Sequence, residues 1–464
     1  MPTFDLIAAA CPSRSRSASA QALVNLYPEQ TGQSITLYGT PGKSLWATIG
    51  NGPIRGGIVV DGFAYIASGR EVYKVTDLGV GTLLGSLGTG YGRVYMASNG
   101  VDILIVDGAS GYTITAGVLA EITDADFPRG VTCCDYVDGF YLVAGDDTQK
   151  FYKSAALSGS SWDALDFASA EGDPDTLVRL IVSSREILNF GGKSLEFWAN
   201  TGAAGFPFER SGNAFVEQGC AAPHSVAKLD SSVFWLGRSG QGEGIVWRLN
   251  GYTPTRISTH AIEYEIASWS DISDAYAWSY VEEGHAFYAL SSASGDITLV
   301  YDVASGQWHQ RRSRDGKNVL HRDRGGVYLY FLGRHLLGDW ENGNIYRSSL
   351  DTYSDNGDEL PRIIRGEHLR AGKRRFYGQF EAYFETGVGL QSGQGSDPQA
   401  VLSVSDDGGR TFHSAASRAI GAVGKYQGRV MWTRLGSGFS RTFQIEVTDP
   451  VKVAITGARV EFTE

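Results

Sequence analysis

Between residues 56 and 348 the chain repeatedly runs an apolar, alternating stretch into a tight turn and answers it with a second such stretch, a recurrence that leaves few folds open. The turns fall at Asp61-Gly62, Asn99-Gly100, Asp138-Gly139, Ser184-Arg185, Asp230-Ser231, Glu283-Gly284 and Gly325-Gly326. Asp-Gly and Asn-Gly accept the positive φ angles of a type I′ hairpin turn, whose twist suits the flanking strands. The first copy shows the unit: Gly57-Ile58-Val59-Val60, the turn, Phe63-Ala64-Tyr65-Ile66-Ala67, then Glu71-Val72-Tyr73-Lys74-Val75. A repeat of roughly 40–50 residues with three or four strands is the mark of a propeller blade. Blades packed about an axis bury the faces that a lone four-stranded sheet exposes. The chain is therefore expected to be all-β, with a six- or seven-bladed β-propeller over residues 46–350. Two β-sandwiches with coincidental turn spacing are the competing reading.

The texture changes near Leu350. Residues 351–375 read as a linker, polar and acidic over Asp351–Glu359 and then basic at Arg362, Arg365, Arg370, Lys373, Arg374 and Arg375. Beyond it, stretches such as Ala400-Val401-Leu402-Ser403-Val404 and Thr442-Phe443-Gln444-Ile445-Glu446-Val447 alternate as half-buried strands, so residues 376–464 are expected to form a small antiparallel β-sandwich. Residues 1–45 carry little periodicity and read as an extended N-terminal arm laid against something else.

Composition narrows the function. A net charge of −11 argues against a protein that grips nucleic acid, because phosphate binding rests on Lys and Arg releasing counterions. Met1 to Ala10 lack the basic and apolar regions of a signal peptide, and no apolar run is long enough to cross a bilayer, so folding in a cytoplasm is expected. Cys11, Cys133, Cys134 and Cys220 match no zinc spacing and read as small buried apolar side chains. No cofactor or metal is expected.

Several motifs offer chemistry. The eight histidines are scattered without metal-ligand spacing, and His309 beside Trp308 reads as a packing residue. Asp351–Glu359 has calcium-loop flavour without the ligand order of an EF-hand, which favours a solvated linker. The glycines of Ser239–Gly244 do not sit between a strand and a helix, as a phosphate loop would require. Ser405, Asp407, Gly409, Thr411 and Phe412 spell an Asp-box, a motif known from sialidases. It occurs once, outside the blades, and reads as a structural turn in which Asp accepts backbone N–H groups. No catalytic residues stand out, and the basic run reads as an inter-domain or subunit contact, with DNA contact as the lesser reading.

Ordered stretches along the chain carry a resemblance. They are Val24-Asn25-Leu26-Tyr27-Pro28-Glu29, Leu37-Tyr38-Gly39-Thr40-Pro41-Gly42, Phe190–Trp198, Arg256–Glu263, Arg429–Gly436 and Val447–Lys452. Together they resemble the packaged-DNA stabilisation proteins of short-tailed (podovirus-type) phages, also called tail hub or nozzle proteins. The resemblance implies a structural, non-enzymatic virion protein of the phage tail, a homohexamer extending and closing the DNA channel below the portal and adaptor. Its partners would be the adaptor (head-to-tail connector) and tail needle, plug, spike or fibre proteins, with genomic DNA passing without sequence-specific binding. Arg14, Arg16 and Tyr27 of the arm, with Arg362, Arg365, Arg370, Lys373, Arg374 and Arg375, are the candidate subunit contacts. Removing residues 1–45 is expected to leave a folded monomer that no longer enters tails. The rivals are a glycan-binding or glycan-cleaving propeller and a bacterial propeller scaffold for protein partners.

Overall fold

A computed structural model describes residues 3–4, 9–32, 34–145 and 148–463. Six four- or five-stranded antiparallel sheets stand as separate blades. A seventh four-stranded unit, Tyr276–Glu282 to Gln307–Arg314, lies between two of them and completes the ring, yet its outer strand is hydrogen-bonded onward into the C-terminal sheet. In chain order the first strands of the blades are Ile54–Val60, Tyr95–Ser98, Val131–Val137, Leu177–Ser183, the split strand Gly219–Cys220 with Ala227–Leu229, Tyr276–Glu282 and Gly325–Phe331; we number the blades one to seven in that order. Each joint between neighbouring blades is filled by its own apolar cluster. Ile66, Val327 and Phe331 join blades one and seven, Ile181, Phe190 and Trp235 join four and five, and Trp278, Phe287 and Leu337 join six and seven.

This packing explains the strand pattern. Second strands are covered on both faces by adjacent blades, so Ile103–Val106 is buried at all four positions and Glu186–Gly191 at five of six. Fourth strands reach the rim, and Val118–Glu121 is largely exposed. The expected turns at Asp61-Gly62, Asp138-Gly139, Ser184-Arg185, Asp230-Ser231 and Glu283-Gly284 have positive φ at both positions, as a type I′ turn demands. Gly325-Gly326, expected as a turn, instead opens the first strand of blade seven; Leu332-Gly333 makes that turn, with φ of 49° and 77°. The absence of a side chain at Gly326 lets Trp340 pack 3.1 Å from where a Cβ would stand.

The N-terminal stretch expected as an arm is laid against both domains. Gly42–Thr48 pairs with Asn344–Ser349 as the outer strand of blade seven and closes the propeller with a strand from the opposite end of the chain. Leu26–Thr31 and Ser34–Gly39 form a hairpin whose second strand joins Ala454–Thr463. Ala22–Val24 runs parallel to the outer strand of blade six and antiparallel to Arg362–Arg365, so one hydrogen-bonded sheet passes from propeller to sandwich. Residues 1, 2, 5–8 and 33 of the stretch lie outside the described residues. Removing 1–45 would therefore strip four whole strands, Thr3–Phe4 against Ala454–Thr463 among them, and cut into Gly42–Thr48, and we correct the expectation of a folded truncation: that deletion opens a blade and uncovers the sandwich core.

The sandwich encloses Leu23, Leu37, Ile364, Phe380, Trp432, Phe443, Ile445 and Val460. Its longest strand, Leu369–Phe384, pairs with Ser437–Val447 and then with Ala454–Thr463. Among the described residues the one helix is His260–Ile266, capped by the Thr259 side chain accepting from Ile262 N and anchored by Ile262 and Ile266 against blades five and six.

Candidate assembly surfaces and the domain junction

Where propeller, linker and sandwich meet, the chain buries charge. Lys43, on the strand that closes blade seven, is 2% exposed and sits 2.9 Å from Asp323 Oδ2 and 3.0 Å from Asp355 Oδ1. Arg311 Nε lies 3.3 Å from the same Asp323 oxygen, and Arg324 Nε lies 3.2 Å from Asp355 Oδ2. Burial would raise the Asp323 pKa, but the Lys43 and Arg311 charges outweigh it and hold the carboxyl at about 2. The acidic stretch Asp351–Glu359, expected as a solvated linker, thus sends Asp355 wholly inside. Asn25, in the left-handed region at φ 51°, pins the same junction. Its amide donates to Arg312 O (2.9 Å) and Pro361 O (2.8 Å), and its Oδ1 accepts from Arg312 N (2.9 Å).

The nine candidate contact residues separate into internal and external sets. Tyr27 and Arg362 are internal. Tyr27 is 4% exposed and packs its ring on His285 and Phe287 of blade six. Arg362, 2% exposed, donates to the backbone carbonyls of Leu360, Tyr353 and Asp449, and burial lowers its pKa to about 10. Neither offers surface to a neighbouring subunit, which is a correction to their place among the contacts; an isolated basic residue in sequence does not show whether carbonyls already surround it. Arg365 is half-buried, donates to Gln444 Oε1 and lies 4.5 Å over the Phe412 ring. Arg375 is half-buried over Phe462, at 4.2 Å. Arg14, Arg16, Arg370, Lys373 and Arg374 are exposed. Between Arg370↔Ser440 and Arg375↔Gly438 the long strand bulges outward, and this pushes Lys373 and Arg374 into solvent beside the exposed rings of Phe376 and Phe439.

The Asp-box sits at the base of this surface. Asp407 accepts from the N–H groups of Arg410 and Thr411 and from the hydroxyls of Ser405 and Thr411, and these bonds, the Thr411 hydroxyl first, hold its carboxyl far below the usual range. Gly409, at φ 78°, lies so close to Ala20 that a methyl group there would collide with it, so the turn also seats the N-terminal segment. The exposed Arg16 is tied in through its backbone, whose carbonyl accepts from His368 Nε2 at 2.7 Å.

Other reactive groups are engaged in packing. His309 is fully buried beside Tyr27 and Phe287, and burial followed by the charges of Arg311 and His285 lowers its pKa to about 3. The four thiols are free and buried, and burial raises Cys220 to about 11. Among the described residues no three His, Cys, Asp or Glu side chains are placed to hold a metal ion, and no helix is long and apolar enough to cross a membrane. Sequence reasoning missed Lys43, Asp323 and Asn25, whose partners stand up to 336 residues away and leave no local pattern.

Comparison with known proteins follows this division of the chain. Residues 15–353 match the family model described as the Bacteriophage P22 Gp10 β-propeller, and residues 362–463 match that of the Bacteriophage P22 Gp10 β-sandwich. No curated protein matches the chain. Solved structures similar to it include the computationally designed Ika8 protein (12% identity, TM-score 0.40, covering 71% of this chain and 99% of that one). The N-terminal domain of Nup159 is similar at 10% identity and TM-score 0.43, covering 70% of this chain and 98% of that one. YCF48 from Cyanidioschyzon merolae is similar at 9% identity and TM-score 0.43, covering 67% and 98%.

Proposed function

Since the chain belongs to the Bacteriophage P22 Gp10 family, whose members are structural phage tail proteins that stabilise packaged DNA, we propose that it acts as the tail hub or nozzle that extends and closes the DNA channel. The observation that carries this reading is the ordered match of both domains across nearly the whole chain. The shared sheet through Ala22–Val24 supports it mechanically, because a propeller and a sandwich joined by backbone hydrogen bonds and a buried ion network resist hinging under load.

In this proposal six copies form a ring below the portal and adaptor, carry the needle, plug, spike or fibre proteins, and catalyse no reaction. Six chains at −11 each carry −66 formal charges. Screening over about 8 Å confines their repulsion to DNA that comes close to the wall. The genome then slides without sticking, and retention rests on a constriction and a plug rather than on affinity. The exposed set Arg14, Arg16, Arg370, Lys373 and Arg374 supplies contacts to acidic faces of neighbouring subunits. No observation favours a glycan-active reading, since the Asp407 carboxylate is engaged by its own turn.

The test is incorporation into particles. Lys373→Glu with Arg374→Glu should leave melting unchanged while the chain fails to enter tails, as read by gel analysis and imaging of purified virions. A wild-type chain absent from purified particles, or one forming a ring whose passage is lined by Lys and Arg, overturns the hub reading.

A further inference from the structure

At the domain junction the buried cations have acceptors. Lys43 and Arg311 share Asp323, and Arg362 donates to three backbone carbonyls. Several carboxylates nearby lack the converse. Glu283, in the first turn of blade six, and Asp351, where the linker begins, are exposed and have no cation partner among the described residues. Glu29, on the N-terminal hairpin, meets His285 Nε2 alone, at 3.4 Å.

These three carboxylates line one cavity of about 410 Å³, to which the hairpin, the blade-six turn, the linker and the sandwich all contribute. Its wall also carries Tyr27, Tyr38 and Tyr353, and none of their hydroxyls has a hydrogen-bond partner among the described residues. Tyr27 is 4% exposed, and a phenol so far removed from water is ordinarily hydrogen-bonded to protein. Burial, then Tyr280, Glu283 and Glu29, raise its pKa, so the hydroxyl stays protonated beside the carboxylates. The two cations of the lining do not neutralise this end: Arg362 is held by its carbonyls, and Lys452 pairs with Glu385 at 2.8 Å. Excess negative charge is felt at Glu282 as well. Burial raises its carboxyl, Arg311 lowers it, and Glu283 and Asp351 push it up again, to about 7.

We propose that this junction cavity binds a small aliphatic diammonium cation, one end held by Glu29 and Glu283 beside the Tyr27 hydroxyl and the other by Asp351. An ammonium group has donors and no acceptor, so it satisfies carboxylates and a phenol oxygen together, while the carbon chain packs along the tyrosine rings. A compact metal ion does not suit the site, because among the described residues no three His, Cys, Asp or Glu side chains are placed to share one. Two charges separated by a chain match carboxylates that come from three separate parts of the fold. Bound there, the cation bridges hairpin, blade-six turn and linker, and so stabilises the junction. The proposal stands whether or not the chain is a tail hub.

Calorimetric titration of the full chain with 1,4-diaminobutane and 1,6-diaminohexane, against 1-aminobutane and sodium chloride at matched ionic strength, tests the proposal. One saturable site is expected for a diamine, with the monoamine weaker by about threefold or more because it makes fewer charge-assisted contacts. Glu283→Gln and Asp351→Asn, at exposed positions where folding tolerates them, should each weaken binding by about threefold and together by about tenfold. Tyr27→Phe keeps the packed ring, removes the hydroxyl and should weaken binding by about threefold. The melting temperature of the wild type should rise with added diamine, and that of the Glu283→Gln, Asp351→Asn double variant should rise less. Absence of saturable binding by either diamine, equal affinity for the monoamine, or unchanged affinity in the folded double variant overturns it.

Discussion

Replacing Asp323 by Asn tests whether the buried ion network holds the two domains together. Asn keeps an acceptor for Gly325 N, which lies 2.7 Å from Asp323 Oδ1, and removes only the charge facing Lys43 and Arg311. The carboxyl sits at about 2 in the folded chain against its ordinary 3.8, a difference worth about 2–3 kcal/mol at ~1.4 kcal/mol per pH unit. Lys43 retains Asp355 at 3.0 Å, whereas Arg311 is left with the Tyr280 hydroxyl at 3.2 Å and Pro41 O at 3.4 Å. Uncompensated buried charge adds to the loss, and breaking such a pair costs about 3–5 kcal/mol. Urea unfolding followed by tryptophan fluorescence should therefore show a loss of about 3 kcal/mol. The double variant Asp323→Asn with Lys43→Met should recover at least ~1 kcal/mol of the summed single losses, since the residues share one network. The pH dependence has a definite sign: a lowered folded pKa gives stability fully present above pH 3.8 and lost as pH falls toward 2, and Asp323→Asn should lack that share of the acid transition. A variant within ~0.5 kcal/mol of wild type, or strict additivity in the double variant, would refute the reasoning.

Three further outcomes are expected. Asn25→Ala should cost about 2–3 kcal/mol, because it leaves Arg312 N without its acceptor and puts a methyl residue at φ 51°; thermal melting checks it. Gly409→Ala should loosen the docking of residues 14–20 by about 1–3 kcal/mol, read as faster proteolysis within that segment while the propeller stays resistant. Removing residues 1–45 should abolish cooperative unfolding of the sandwich, whose core includes Leu23, Leu26 and Leu37; urea unfolding checks it.

Much of the fold was readable without coordinates. Period-two alternation and turn residues such as Asp138-Gly139 and Glu283-Gly284 act over a few neighbours, so blades announce themselves along the chain. The Asp-box was legible for the same reason: Asp407 makes its bonds within four residues. Gly325-Gly326 misled because a glycine pair also serves where a tryptophan must approach a strand. What only the tertiary structure decided is which distant segments meet. That Gly42–Thr48 closes blade seven, that Ala22–Val24 splices propeller to sandwich, and that Asp355 lies inside while Lys373 stands outside all depend on residues far apart in sequence. Their pairing is set by burial and charge balance in the finished packing, and no short-range pattern records it.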